Sequence, residues 1–289
     1  MFDQILQRVA NALTEVPALR SRVLGQVGQC LFLDGRPERA VEILEEAEHV
    51  ALAVGDCELI IRNRVSLAES LRLLRRTEPA KRIGRLALEG LAQLADSPQF
   101  RLVKMAALTT LGMVLGFTGR PDEGLPCLRQ AAQLAEADQR FLEASRIAIN
   151  IAHVLWTADR LLEALPVLDQ ALASLASLPD ATSDRATISL TRGSIYLGLG
   201  RLQEAESALQ AIEVDVLRTH GFRSQVAVAA HNLGNVYRHM GRLPEAEAKL
   251  IEALALHREL DDEVEVASVL ITLGDVLEEQ GKRGLAEPM

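Results

Sequence analysis

The sequence predicts an all-α chain built as a solenoid of antiparallel helix pairs. Three observations lead there. The 289 residues repeat with a period near forty, small residues recur in fixed columns of that repeat, and the composition favours helix over sheet. Hydrophobic residues make up 48% of the chain but aromatic ones only 3%. A core so poor in rings must be filled by helices that approach closely, and thin stacked layers achieve this.

The repeat is read from its small columns. The first is Gly28, Ala68, Gly112, Ala152, Gly193, Gly234 and Gly274. Twelve residues later comes Ala40, Ala80, Gly124, Ala164, Ala205, Ala246 and Ala286. A third column is Ala47, Ala87, Ala131, Ala171, Ile212 and Ala253. Between the first two columns the pattern breaks at Gly35, Gly119, Gly200, Gly241 and Gly281, where a left-handed residue ends one helix. Pro37, Pro121 and Pro244 follow within three residues, suiting the first turn of a second helix. Asp56, Asp96, Asp138, Asp180 and Asp261 mark the next loop as expected N-caps. Repeat two departs most: Arg75 stands at the turn glycine and Gly84 at an apolar position of the second helix.

This pattern resembles the tetratricopeptide repeat, with Leu-Gly, Tyr, Gly and Ala at the family's intervals. Asn232-Leu233-Gly234-Asn235-Val236-Tyr237 followed by Gly241 and Ala246 is the clearest case, and both tyrosines, Tyr196 and Tyr237, fall in the tyrosine column. The resemblance covers residues 21–286 and implies a right-handed superhelical α-solenoid. Units about six residues longer than the usual thirty-four resemble the sensor solenoids of bacterial signal-transduction ATPases and LuxR-type regulators, and kinesin light chain. The expected organisation is an N-terminal capping helix at 1–20, with residues 2–16 amphipathic. A solenoid at 21–289 follows, with six repeats starting near 21, 61, 105, 145, 186 and 227, and a seventh cut short at 267–289. An open last repeat is expected either where a chain is a module of a longer regulator or enzyme, or where its face pairs with a second copy as a homodimer.

The resemblance implies that first helices line a concave groove, and that its positions two, five, six, nine, twelve and thirteen face a protein or peptide ligand. Carried onto this chain, they give Arg62 and Arg72 in repeat two. Repeat four gives Asn150, His153 and Trp156, and repeat six His231, Asn232, Asn235 and Arg238. Asparagine is a poor helix former, and its amide both donates and accepts, which suits the backbone of an extended segment. Trp156 is the one tryptophan and a natural anchor. Residues 62–85 hold eight basic against two acidic side chains, whereas 244–289 hold four against twelve. The carboxylate clamp of this family needs Lys and Asn where unit one has Gly25 and Gln29, so that ligand is disfavoured.

The remaining chemistry argues against an enzyme. Net charge is −9, against general nucleic-acid binding. Cys30, Cys57 and Cys127 form no CxxC pair; Cys30 and Cys127 are expected in the core. His231 and His239 are two turns apart, too far to share one metal. No nucleophile elbow or phosphate loop is present. No metal, cofactor or catalytic residue is expected. Without a secretory signal or an uncharged apolar run of about eighteen residues, a cytoplasmic protein is expected, acting in regulation or signalling.

Overall fold

The computed structural model describes residue 13 and residues 15–92, 98–212 and 214–282. The amphipathic segment expected at 2–16 lies almost wholly outside them, as do Asp96 and Ala286. Among the described residues the chain is all helical, with no strand. The chain divides into two compact units, residues 1–140 and 141–289.

Unit 1 holds three helix pairs: α1 (Pro17–Leu33) with α2 (Pro37–Val54), α3 (Cys57–Leu73) with α4 (Thr77–Leu91), and α5 (Pro98–Phe117) with α6 (Pro121–Ala137). Unit 2 holds α7 (Phe141–Thr157) with α8 (Leu161–Leu175), and α9 (Thr182–Gly198) with α10 (Leu202–Gln210). The short α11 (Val214–Thr219) comes next, then α12 (Arg223–His239) with α13 (Leu243–Glu259), and α14 (Glu263–Glu279). Within each unit the first helices also pack side by side, α1–α3–α5 and α7–α9–α12–α14. First helices begin at Pro17, Cys57, Phe141, Thr182, Arg223 and Glu263, each four residues ahead of the repeat frame, and at Pro98 in repeat three. Pro17–Arg20 are therefore part of α1.

The turn inside each repeat is the same hydrogen-bonded device. A residue at positive φ ends the first helix, and the next amide reaches back five residues. Arg36 N donates to Leu31 O at 2.9 Å, Arg201 N to Tyr196 O at 2.9 Å, and Arg242 N to Tyr237 O at 2.9 Å. Arg75 adopts φ 56° and Asp159 φ 58° in this turn, so repeat two keeps its geometry without glycine. The arginine after the turn is the N-cap of the second helix, and in repeats three to six it pairs with an acid three residues on: Arg120–Glu123, Arg160–Glu163, Arg201–Glu204 and Arg242–Glu245. Of the expected aspartate caps, Asp56 accepts the Leu59 amide at 3.1 Å. Asp261 instead takes positive φ, and its neighbour Asp262 caps α14 through the Glu265 amide at 3.2 Å. Asp138 ends α6, and Asp180 lies in a short 3-10 turn.

The small columns are the pair contacts. A Cβ on Gly28 would lie 2.4 Å from the Leu44 side chain, and one on Gly234 2.7 Å from Leu250. Ala40, Ala47, Ala131, Ala205, Ala246 and Ala253 are fully buried. Where Ile212 replaces alanine in the third column, α10 stops at Gln210 and the chain resumes as α11. Residues 100–117 of α5 are long and apolar enough to cross a bilayer by length and composition, although the run is not uncharged. The stretch carries Arg101 and Lys104, and 61% of it is buried against neighbouring helices, as in the core helix of a packed unit.

Two glycine substitutions should therefore have opposite signs. A Cβ on the buried Gly84 meets Leu111 only at ordinary contact distance, 3.6 Å. Gly84→Ala should stabilise by about 0.5–1 kcal/mol through helix propensity. Gly234→Ala must displace Leu250 and should destabilise by about 1–3 kcal/mol. Urea unfolding of both variants checks the pair of signs.

Candidate functional site

The surface of interest in unit 2 follows from helix periodicity. Positions six, nine and twelve of each first helix lie at i, i+3 and i+6, so they share one face. The face reads Asn150, His153, Trp156 on α7, Thr191, Ser194, Leu197 on α9, and Asn232, Asn235, Arg238 on α12. Because α7, α9 and α12 pack in series, these strips form one surface.

On α7 the strip is bare. Asn150 is half-buried, His153 is exposed and Trp156 is 39% exposed. Among the described residues none of the three side chains makes a hydrogen bond, so the Asn150 amide, the imidazole and the indole N–H all remain available. Desolvation by the surrounding helices lowers the His153 pKa despite its exposure, which leaves a neutral ring able to donate and accept. On α12 the asparagines are half-engaged. Asn232 Nδ2 donates to Ser194 Oγ at 3.3 Å and Asn235 Nδ2 to the His231 carbonyl at 3.4 Å. Both amide oxygens accept nothing among the described residues.

Two expected groove residues are placed differently. His231 is only 9% exposed, because position five faces the next first helix rather than the groove. Its Nε2 lies 3.5 Å from Thr272 Oγ1 and its Nδ1 3.8 Å from Glu265 Oε2, both on α14. Arg238 bridges to α14 as well, to Asp275 at 2.7 Å and Glu279 at 2.8 Å. Both residues therefore tie α12 to α14. Nearby His257 is fully buried, its Nδ1 3.6 Å from Asp262 Oδ2.

In unit 1, Arg62 is exposed and pairs with Glu58 at 2.8 Å. Arg72 pairs with Glu69 at 2.5 Å, and Glu69 also accepts from Thr110 Oγ1 at 3.0 Å. Arg64–Glu48, Lys81–Glu78 and Arg85–Glu123 neutralise more of the basic stretch. Arg62 also borders a cavity of about 440 Å3 on the first-helix faces of α1, α3 and α5. Arg22 and Gln29 border it too, and Asn63 forms part of its lining. Asn63 went unnoticed in the sequence because position three of a repeat is ordinarily a packing position; an amide there was the available signal. Cys30 and Cys57 are exposed and Cys127 is partly so, which corrects the core placement of Cys30; all three are free thiols. Among the described residues no three His, Cys, Asp or Glu side chains gather as a metal site.

The buried His231 gives the α12–α14 seam a pH dependence. Burial lowers its pKa; Glu265 opposes this and His257 adds to it. The folded state thus binds this proton less readily than the unfolded chain, whose imidazole titrates near 6.5. Stability from this residue is present above that value and is lost as pH falls through the lower folded pKa. Thermal melts should fall in Tm across this acid range, and His231→Gln should flatten that slope.

Family profiles described as tetratricopeptide repeat match residues 143–212 and 225–289, and a second such profile matches 105–130. No curated protein sequence matches the chain. Among solved structures, a Rap protein complexed with Competence and Sporulation Factor has a TM-score of 0.61 at 15% identity, over 92% of this chain and 73% of that one. A signal transduction ATPase with numerous domains and a tetratricopeptide repeat sensor, from Pyrococcus horikoshii, gives 0.64 at 13%, over 94% of this chain and 43% of that one. The tetratricopeptide-like repeats of a Podosopora anserina kinesin light chain give 0.60 at 17%, over 71% and 97%. At such identities the likeness is one of fold. The glycine turns, the small columns and the profile matches over more than half of the sequence agree, and the chain belongs to the tetratricopeptide repeat family.

Proposed function

We propose that this chain is a non-catalytic binding scaffold or sensor, working without a cofactor in the cytoplasm as part of a bacterial regulatory system. It takes an extended peptide or protein segment across the first-helix faces of unit 2. The observation that carries this reading is the bare strip Asn150–His153–Trp156, together with the open amide oxygens of Asn232 and Asn235 at the matching positions of repeat six. An extended chain carries a donor and an acceptor at every residue, and amides with spare capacity answer both. An exposed indole with a free N–H supplies an anchor. A Rap conjugation gene regulator of similar fold, solved in complex with the Phr* peptide, supports a peptide ligand. In this reading Arg238 and His231 hold α14 in place and contribute to binding only through that support. Arg62 and Arg72, spent on internal ion pairs, supply rim charge in unit 1.

The sole tryptophan is its own reporter. Peptides enriched on the full chain from a randomised displayed library should shift Trp156 emission on titration. Trp156→Ala should weaken them by about thirtyfold, the scale of an aromatic hot spot. Asn232→Ala with Asn235→Ala should cost about tenfold. Enriched peptides that bind wild type and the triple variant alike would refute the groove reading.

A second reading rests on α14, where Val264 is 78% and Ile271 69% exposed, about two helical turns apart. That face suits self-association through the C-terminal end, or the continuation of a longer regulator. Light scattering across protein concentration should then give a dimer that Ile271→Glu abolishes; a monomer throughout rejects self-association.

A further inference from the structure

We propose that unit 1 carries a second ligand site, distinct from the groove of unit 2. Its cavity takes an uncharged molecule or chain segment that presents an amide N–H beside a branched aliphatic group. The argument starts at the cavity's lining residue Asn63. This side chain is only 3% exposed, and its orientation is fixed by a chain of hydrogen bonds. Asn63 Nδ2 donates to Ser21 Oγ at 3.0 Å, and Ser21, fully buried, donates onward to the Ala47 carbonyl at 2.8 Å. Because Ser21 spends its proton on Ala47, it can only accept from Asn63, which leaves Asn63 Oδ1 as the free end of the amide. That oxygen accepts no hydrogen bond among the described residues, although Asn63 borders a cavity of about 440 Å3. The oxygen is not fully buried, so it opens to solvent, and a ligand N–H can take the place of water there.

The space beside that oxygen is kept by glycine. A Cβ on Gly25 would lie 2.3 Å from Asn63 Oδ1, so any larger residue would cover the acceptor or push it aside. The wall opposite is aliphatic, formed by Leu59 and Val65 of α3 with Leu102, Val103 and Ala106 of α5. The rim is balanced in charge. Arg62 is paired with Glu58 at 2.8 Å, and Asp56 is occupied by the Leu59 amide at 3.1 Å. Arg22 is the remaining cation, so two bases face two acids. No single-sign field exists to select a phosphate or a dicarboxylate. An acceptor held in a fixed orientation, an aliphatic wall and a neutral rim together select a neutral amide with an apolar side group. The volume lies within the range of about 300–1,000 Å3 typical of small-ligand clefts. Such a ligand is either a free small amide or a leucine-like residue within a peptide.

The test uses the full chain with methyl-labelled Leu and Val and labelled indole nitrogen. N-acetyl-leucinamide should shift the methyls of Leu59, Val65, Leu102 and Val103. Its fully N-methylated analogue, which keeps the shape but has no N–H, should bind about tenfold more weakly, the cost of leaving Asn63 unpaired. Asn63→Ala should abolish that difference, with circular dichroism verifying its fold; the analogue comparison on wild type needs no variant. A capped peptide with a central leucine separates the sources. Tighter binding than N-acetyl-leucinamide identifies a chain segment, and exclusion identifies a free amide; both uphold the site. Equal affinity for the two N-acetyl compounds, or no methyl shift in unit 1, overturns it. The Trp156 indole resonance in the same spectra reports on unit 2, so failure of either site is seen separately.

Discussion

Close approach at the small columns is the constraint on which the rest depends. Gly28 against Leu44 and Gly234 against Leu250 leave no room for a Cβ, so the two helices of a pair are set by a leucine seated on a bare backbone. The buried alanines twelve and nineteen residues further on continue the same seam. A chain with few rings cannot fill wide gaps, and close contact recovers in many small dispersion terms what large side chains would otherwise supply. The turn follows from the same demand. A left-handed residue and an amide reaching back five positions reverse the chain tightly enough to lay the second helix into that seam.

Once the pairs are fixed, first helices lie side by side, and polar residues on them meet at the repeat period. Asn63 reaches Ser21, Thr110 reaches Glu69, Gln225 reaches Ser183, Asn232 reaches Ser194, and His231 reaches Thr272. Each bond joins one repeat to the next. The contact is short-range, so each such bond secures its own interface alone, as expected of a linear array. Ion pairs such as Arg146–Asp184 and Arg238–Asp275 add to the same seams, with modest energies where they remain solvated.

This division explains what was legible in the sequence. Residues that fix the pair geometry carry a type requirement, small or left-handed, and recur in columns; Gly35, Gly119, Gly200 and Gly241 all take positive φ as their spacing implied. Seam residues carry no such requirement. His231 and Asn235 stand at the same four-residue helical spacing and look alike on a helical wheel. Contact with Thr272 and Glu265 of α14 covers the first, while the second stays half-buried. Asn63 was hidden for the converse reason, since a polar residue at a packing position is meaningful only once Ser21 and Gly25 are seen beside it. The shift of capping from Asp261 to Asp262 is of this kind too: adjacent aspartates are equivalent in sequence until one takes the left-handed turn.

The same logic bears on how recognition can change while the fold does not. Positions six, nine and twelve of the first helices touch neither the glycine seats nor the left-handed turns. Asn150, His153 and Trp156 in repeat four correspond to Thr191, Ser194 and Leu197 in repeat five and to Asn232, Asn235 and Arg238 in repeat six. The chemistry varies from repeat to repeat while the small columns beneath stay constant. In the proposed reading, substitution on this face alters what is bound at little cost in stability, except where a side chain has been drawn into the seam. Arg238 and Asn232 mark that limit. Holding Asp275 and Glu279 of α14, and Ser194 of α9, they are not free to change with the ligand, and the variable surface narrows to Asn150, His153, Trp156 and Asn235.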